Sequence, residues 1–160
     1  MIWAEFEAAA PEVARLGKER FDRLRIALLG TLRMDGSPRT SPVEPHFVEG
    51  HLLFGAMTWS LKARDLLSDM RCVLHSAVTA PDAGESELKL YGRAREVQDQ
   101  RLRGSSRETW WATRPPEQAR VFSMDIEQAA LVEWDLERGQ MSLRRWSPKD
   151  GVTEITRSYP

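Results

Sequence analysis

Residues 26–57 constrain this chain more than any other segment. Ile26 to Arg33 is a nearly unbroken apolar run, and it ends in Met34-Asp35-Gly36. An Asp-Gly pair between two extended runs is a strong hairpin signal, because the turn needs the positive φ that glycine adopts freely. The returning arm, residues 37–45, carries Pro38, Pro42 and Pro45. Each proline removes a backbone donor, so this arm is expected at a sheet edge or a bulge. Glu49-Gly50 marks a second turn and His51 to Met57 a third strand. Three strands joined by short turns predict an antiparallel meander.

The flanking segments follow other periods. Val13, Leu16, Arg20, Phe21 and Leu24 recur at spacings of three and four, which predicts a helical segment over residues 3–25. Pro11 suits the first turn of a helix that follows a shorter one, while Gly17 weakens its middle. Residues 60–70 read as a helix capped by Ser60, with Ala63, Leu66, Leu67 and Met70 toward the sheet and Lys62, Asp65 and Asp69 on the opposite side. Strands are expected at 72–79 and 88–97, a loop at 80–85, and close approach of another element at Gly92 and Ala94. Residues 99–113 read as a helix stopped by Pro115-Pro116, and 119–126, 129–136 and 140–146 as closing strands, the last two joined around Gly139. The expected fold is mainly β with helices: a split, antiparallel, Greek-key-like β-barrel in one domain over residues 1–160, in which closure removes exposed edges.

Charge narrows the function. Twenty-three basic and 24 acidic side chains leave a net charge of −1. That balance gives no field for nonspecific capture of nucleic acid or an anionic membrane, so an anionic ligand must be held by a few placed charges. The single cysteine, Cys72, cannot form an internal disulfide, and with no basic, apolar leader at the start the expected location is the cytoplasm. No apolar run approaches the roughly 20 residues that span a bilayer. His46, His51 and His75 lack metal-ligand spacing, so no metal site is expected. Cys72, on an expected strand, reads as a buried small hydrophobe.

Two segments can carry chemistry. Thr58-Trp59-Ser60-Leu61-Lys62-Ala63-Arg64 joins a strand end to a helix start. Free N–H groups and the helix dipole there favour an anion, Ser60 can cap or donate, and Lys62 adds a positive charge. Taken alone, it reads first as a capped surface helix with a solvated lysine. Arg39-Thr40-Ser41-Pro42-Val43 is the second. On a strand Arg39 and Ser41 face one side, and arginine can grip phosphate oxygens in bidentate fashion. Taken alone, it is equally an edge strand protected by proline and charge.

In combination, Arg-x-Ser-Pro-Val on a hairpin arm, a short strand, then Ser-x-Lys-Ala-Arg-Asp-Leu at a helix start resembles the pyridoxamine 5′-phosphate oxidase-like family of FMN-binding split barrels. Gly30 to Pro38 and Asp69 to Leu74 extend the likeness, which runs from about Leu28 to Val97. The resemblance implies an FMN-binding oxidoreductase with a small-molecule substrate, a homodimer with cofactor at the subunit interface. It implies that Arg39, Ser41, Ser60 and Lys62 hold the phosphate, and that Pro42, Val43, Glu44, Gly55 and Ala56 border the isoalloxazine. An FMN phosphate carries about −1.5 to −2 charges, which Arg39 and Lys62 would nearly neutralise. Leu61 stands where many members carry a second basic residue, so fewer charges grip the phosphate. The deazaflavin coenzyme F420 and haem, which the same barrel accommodates, are therefore the alternatives, as is a binding protein without turnover. The tail, residues 155–160, does not match the basic ending of the enzymes that oxidise pyridoxamine phosphate. Catalytic residues are not identified, although Glu44 and His46 are the acid–base groups near the expected ring. Trp59 can cover the cofactor, and one of Trp110 and Trp111, both on the expected helix, meets a partner subunit or the cofactor edge.

Overall fold

The computed structural model describes residues 1–76, 78 and 85–158. At its centre is the expected hairpin. β1 (Ala27–Leu32) pairs antiparallel with β2 (Pro38–Val43), Ala27 opposite Val43 and Leu32 opposite Pro38. Gly36 turns the chain at φ 81°, and the Asp35 carboxylate accepts the Ser37 N–H at 2.9 Å and its hydroxyl at 2.6 Å. Among the described strands β2 pairs only with β1, the edge position its prolines require.

The expected meander stops there. β4 (His51–Met57) pairs not with β2 but with β3 (His46–Val48) and, on its other edge, with β7 (Ala119–Asp135). Residues 26–57 therefore form two separate hairpins. The second closes through Glu49 at φ 47° and Gly50 at φ 76°, the paired positive angles of a two-residue hairpin loop. Leu52 to Ala56 are buried, so β4 is a central strand needing full ladders on both edges. Pro38 and Pro42 leave β2 unable to supply one.

The sheet order is β2-β1-β5-β6-β7-β4-β3, with β5 at Arg71–Ser76 and β6 at Glu87–Glu96. β8 (Gln140–Ser147) also pairs with β7, and β9 (Gly151–Ser158) with β8. β7 is one strand of 17 residues where two were expected. The break between the two expected strands, at Glu127-Gln128, is a β-bulge: Tyr91 lies opposite Gln128 and Gly92 opposite Ile126, which leaves Glu127 as the extra residue. β6 runs along one edge of β7, while the other edge is shared by β4 at 119–123 and β8 at 129–135. That division splits the barrel. The main path of the sheet ends at β2 and β3 and its branch at β9, so closure does not remove the edges as expected. β9 was not anticipated: all eight of its residues are exposed, so it carries no buried period-two stripe.

The helical segment 3–25 is two helices, α1 (Trp3–Ala9) and α2 (Pro11–Leu24), broken at Ala10 with Pro11 opening the second. They cover the core with aromatic rings. Trp3 meets Phe47 edge-on at 4.5 Å between centroids, and Phe6 meets Trp146 at 5.0 Å. At Gly17 a Cβ would stand 2.2 Å from Leu88 Cδ2, so glycine lets α2 lie directly on β6. α3 occupies Leu61–Ser68 and α4 only Gln100–Ser105. The helix expected over 99–113 thus ends early, at Gly104 and two serines with weak helix propensity. Arg103 pins the following turns by donating to the carbonyls of Arg114 (3.1 Å) and Ala119 (2.5 Å). Most of the expected loop at 80–85, and the end of the expected strand 72–79 apart from residue 78, lie outside the described residues. Among the described residues no helix is long and apolar enough to cross a membrane.

Candidate functional site

Because β2 and β4 do not pair, a gap separates them, and the start of α3 borders it. Ser60 has extended backbone angles, and its hydroxyl accepts the Ala63 N–H at 3.4 Å. Its own N–H donates to the Met57 carbonyl at 2.9 Å, and its carbonyl accepts the Arg64 N–H at 3.2 Å. The N–H groups of Leu61 and Lys62, in the first turn, have no intrahelical acceptor. A cleft of about 420 Å³ opens here, lined by Pro42, Val43 and Glu44, by Gly55, Ala56 and Met57, by Trp59, Ser60 and Lys62, and by Ile26 and Trp110. Its size is that of ligand clefts generally.

Seven of the nine residues expected at a cofactor are brought together in it: Pro42, Val43, Glu44, Gly55, Ala56, Ser60 and Lys62. Arg39 and Ser41 do not line it. They share the inward row of β2 with Val43, as the alternation of exposure shows. Arg39 Nε donates to the Asp65 carboxylate at 2.7 Å, and the same oxygen accepts the Thr31 hydroxyl at 2.9 Å. Asp65, expected on the solvent side of α3, is 6% exposed. The helix is short and lies across β1, so it buries a wider arc than its apolar stripe. Arg39 and Thr31 supply the partners a buried carboxylate needs. Leu67 (50%) and Met70 (38%), expected against the sheet, are exposed instead.

The two expected cations are thus both engaged. Lys62 Nζ donates to the Pro42 carbonyl at 2.7 Å. Burial holds its ammonium below the ordinary lysine value, and the nearby Glu44 carboxylate opposes that shift. Gly55 serves packing: a Cβ there would stand 2.4 Å from Trp111 Cε3. Trp111 is wholly buried while Trp110 lines the cleft, so the pair divides as its two rings require, although on turns rather than a helix. Trp59 is 76% exposed, and Ile26, Met57 and Leu61 beside it are also exposed, which gives the cleft an apolar rim.

Ile26 and Met57 were not expected in the lining: Ile26 immediately precedes β1 and Met57 ends β4, next to expected segments. Trp110 is the member of the tryptophan pair that reaches the cleft, one of the two places expected for it, although from a turn and not from a helix. The Thr31–Asp65 bond leaves no trace in sequence spacing. Glu44 and Ile26 also border a second groove of about 600 Å³, which includes His46. A hollow of about 630 Å³ lined by residues of β6, β7, β8 and the start of β9 contains none of the expected residues. His51 Nδ1 lies 3.0 Å from the Ser123 hydroxyl and His75 Nε2 2.9 Å from Glu87. Burial pushes the Cys72 thiol up to about 12.

No family model matches the sequence, and no curated protein matches it either. Solved structures do match. PhzG from Burkholderia lata 383, in complex with tetrahydrophenazine-1-carboxylic acid, is similar at a TM-score of 0.65 and 10% identity, over 94% of this chain and 93% of that one. A pyridoxamine 5′-phosphate oxidase-related, FMN-binding protein from Nostoc punctiforme gives 0.62 and 15%, over 92% and 95%. A haem-binding protein from Mycobacterium smegmatis gives 0.59 and 12%, over 90% and 88%. At these identities the likeness is one of fold.

Proposed function

With the split-barrel fold of the pyridoxamine 5′-phosphate oxidase-related proteins as the premise, we propose that this chain is an FMN-binding oxidoreductase acting on a small molecule. The cofactor occupies the cleft between β2, β4 and α3. The observation that carries this reading is the meeting of a helix start, Ser60 and Lys62 with the flat apolar walls of one cleft. The donor set fits a phosphate: the Leu61 and Lys62 N–H groups, the Ser60 hydroxyl and the Lys62 ammonium. Val43, Met57, Trp59 and Trp110 fit a planar ring and exclude water from it. Bound FMN supplies hydride or electron transfer at its ring, and the protein supplies position and electrostatics. Glu44, bordering both the cleft and the groove that holds His46, is placed to hold or move a proton at the ring's end.

Flavin fluorescence during titration with the protein tests the reading. FMN is expected to be quenched saturably, and Lys62→Ala to weaken binding about tenfold or more, the scale of one charge-assisted hydrogen bond. Unquenched FMN at high protein concentration rejects it. Parallel titrations with coenzyme F420 and haem compare the alternatives. A haem-binding neighbour supports the second of these, but Met57 is the one lining residue, among those described, of a type that commonly ligates haem iron. The cleft chemistry therefore favours flavin.

The same reading makes the protein a cytoplasmic homodimer. Its support is the exposed rim of Ile26, Met57, Trp59 and Leu61 around an open cleft, the kind of apolar patch that marks an interface.

A further inference from the structure

We propose that Asp65 is a positioning residue for phosphate recognition: by holding Arg39 through Nε, it presents the two terminal amino groups of the guanidinium as a fixed two-donor edge. The inference rests on the flavin reading for the identity of the ligand, and on geometry for the rest. Asp65 is buried on α3, and its Oδ2 accepts both the Thr31 hydroxyl at 2.9 Å and Arg39 Nε at 2.7 Å. Two donors on one oxygen, from two different strands, fix the carboxylate in place. Arginine and carboxylate usually pair fork to fork, with two parallel bonds. Here the contact is through Nε, and among the described residues Arg39 has no bonded partner other than Asp65. Its terminal amino groups are therefore unspent, on a side chain that is 20% exposed.

The location is suitable. Arg39, Ser41 and Val43 form one inward row on β2, and Val43 lines the cleft. Four residues along a strand span about 13 Å, a distance that a flat ring joined by a short carbon chain to a phosphate can cover. Asp65 lies three residues beyond Lys62 on the same helix, so one element carries both the lysine and the anchor for the arginine. A lysine at position 39 could not substitute. Its three donors fan out from one nitrogen, so with Asp65 holding that nitrogen no fixed pair of parallel donors is left for two phosphate oxygens, whereas arginine keeps two amino groups in one plane.

The test compares FMN with riboflavin, which lacks only the phosphate, so that the ratio Kd(riboflavin)/Kd(FMN) reports the phosphate grip alone and falls when the grip weakens. Four proteins are titrated: wild type, Arg39→Lys, Asp65→Asn, and the double variant. Arg39→Lys is expected to lower the ratio at least tenfold with riboflavin affinity unchanged. Asp65→Asn keeps an acceptor oxygen for Arg39 and Thr31 and is expected to leave the ratio at or above the wild-type value. In the double variant the weaker hold of asparagine frees the ammonium, and the ratio is expected to recover at least threefold over Arg39→Lys. Failure of that recovery overturns the proposal, as does a parallel loss of both flavins, which a purely structural Asp65 would produce. Urea midpoints confirm that each variant is folded. If the wild type binds neither flavin, the flavin reading fails separately. Inorganic phosphate, followed by its phosphorus NMR signal during titration with each of the four proteins, must then give the same ranking, and no phosphate binding by the wild type overturns the proposal too.

Discussion

Lys62 sits where burial lowers the affinity of its amine for a proton, with Glu44 acting in the opposite direction. An anion in the cleft needs the ammonium form. Phosphate affinity is therefore lost as pH rises through the Lys62 value, which lies below the ordinary 10.5. A pH series of FMN titrations is expected to show this decline, and Lys62→Arg to move it to higher pH, because a guanidinium stays charged throughout. Cys72 gives a second residue-scale outcome. With its thiol pushed up to about 12 by burial, the reactive thiolate is scarce at neutral pH. Iodoacetamide at pH 8 is expected to leave the native protein unlabelled and to modify it fully in urea. Gly55 gives a third. Gly55→Ala forces a Cβ against the buried Trp111, at an expected cost of about 1–3 kcal/mol in urea unfolding, with a change in tryptophan emission.

The elements differ in how much of them the sequence disclosed. β1, β2, β4 and the Ser60-capped helix were legible, because each is set by signals a few residues apart: an apolar run, an Asp-Gly turn, prolines, a capping serine. Ser60→Ala is expected to cost about 1 kcal/mol by chemical denaturation and to weaken FMN binding as well, since one hydroxyl serves both helix and cleft. For β7 the sequence suggests two strands, 119–126 and 129–136, because the polar pair Glu127-Gln128 interrupts the apolar pattern. Only its partner β6, skipping Glu127, shows that the polar residues form a bulge inside one long strand. The helix expected over 99–113 failed for a similar reason: Arg103 reaches carbonyls 11 and 16 residues away, a constraint that no local period reports. β9 pairs on one edge and is exposed along its length. Its amides are expected to exchange with deuterium faster than those of β6, which is flanked on both edges.

At the scale of the whole molecule, the shared edge of β7 decides the architecture. β4 takes its first part and β8 its last, and between them the Ile126 N–H donates to the Met1 carbonyl at 2.8 Å while the Met1 ammonium donates to the Ile126 carbonyl at 3.0 Å. β4 is thereby laddered to β7 and β3 and not to β2, and the cleft lies between β2 and β4. Its apolar rim is left facing outward, and the proposed homodimer covers it. Light scattering is expected to give twice the chain mass, and Trp59→Ser together with Leu61→Ser to shift the protein toward monomer. A monomeric wild type at micromolar concentration removes the dimer from the proposal.

The amino-acid sequence by itself determined the first hairpin and the capped helix start, with Ser60 and Lys62 placed at it. Each of these depends on turn chemistry, capping or alternation, which act over a few residues and leave a local pattern. Only the tertiary structure decided which strands are neighbours, and that Arg39 is tied to a buried aspartate and Lys62 to a carbonyl. Those choices are made by long-range burial. A carboxylate taken out of water must find donors wherever the fold places them, and Asp65 found them on two strands that precede it in the chain by more than twenty residues.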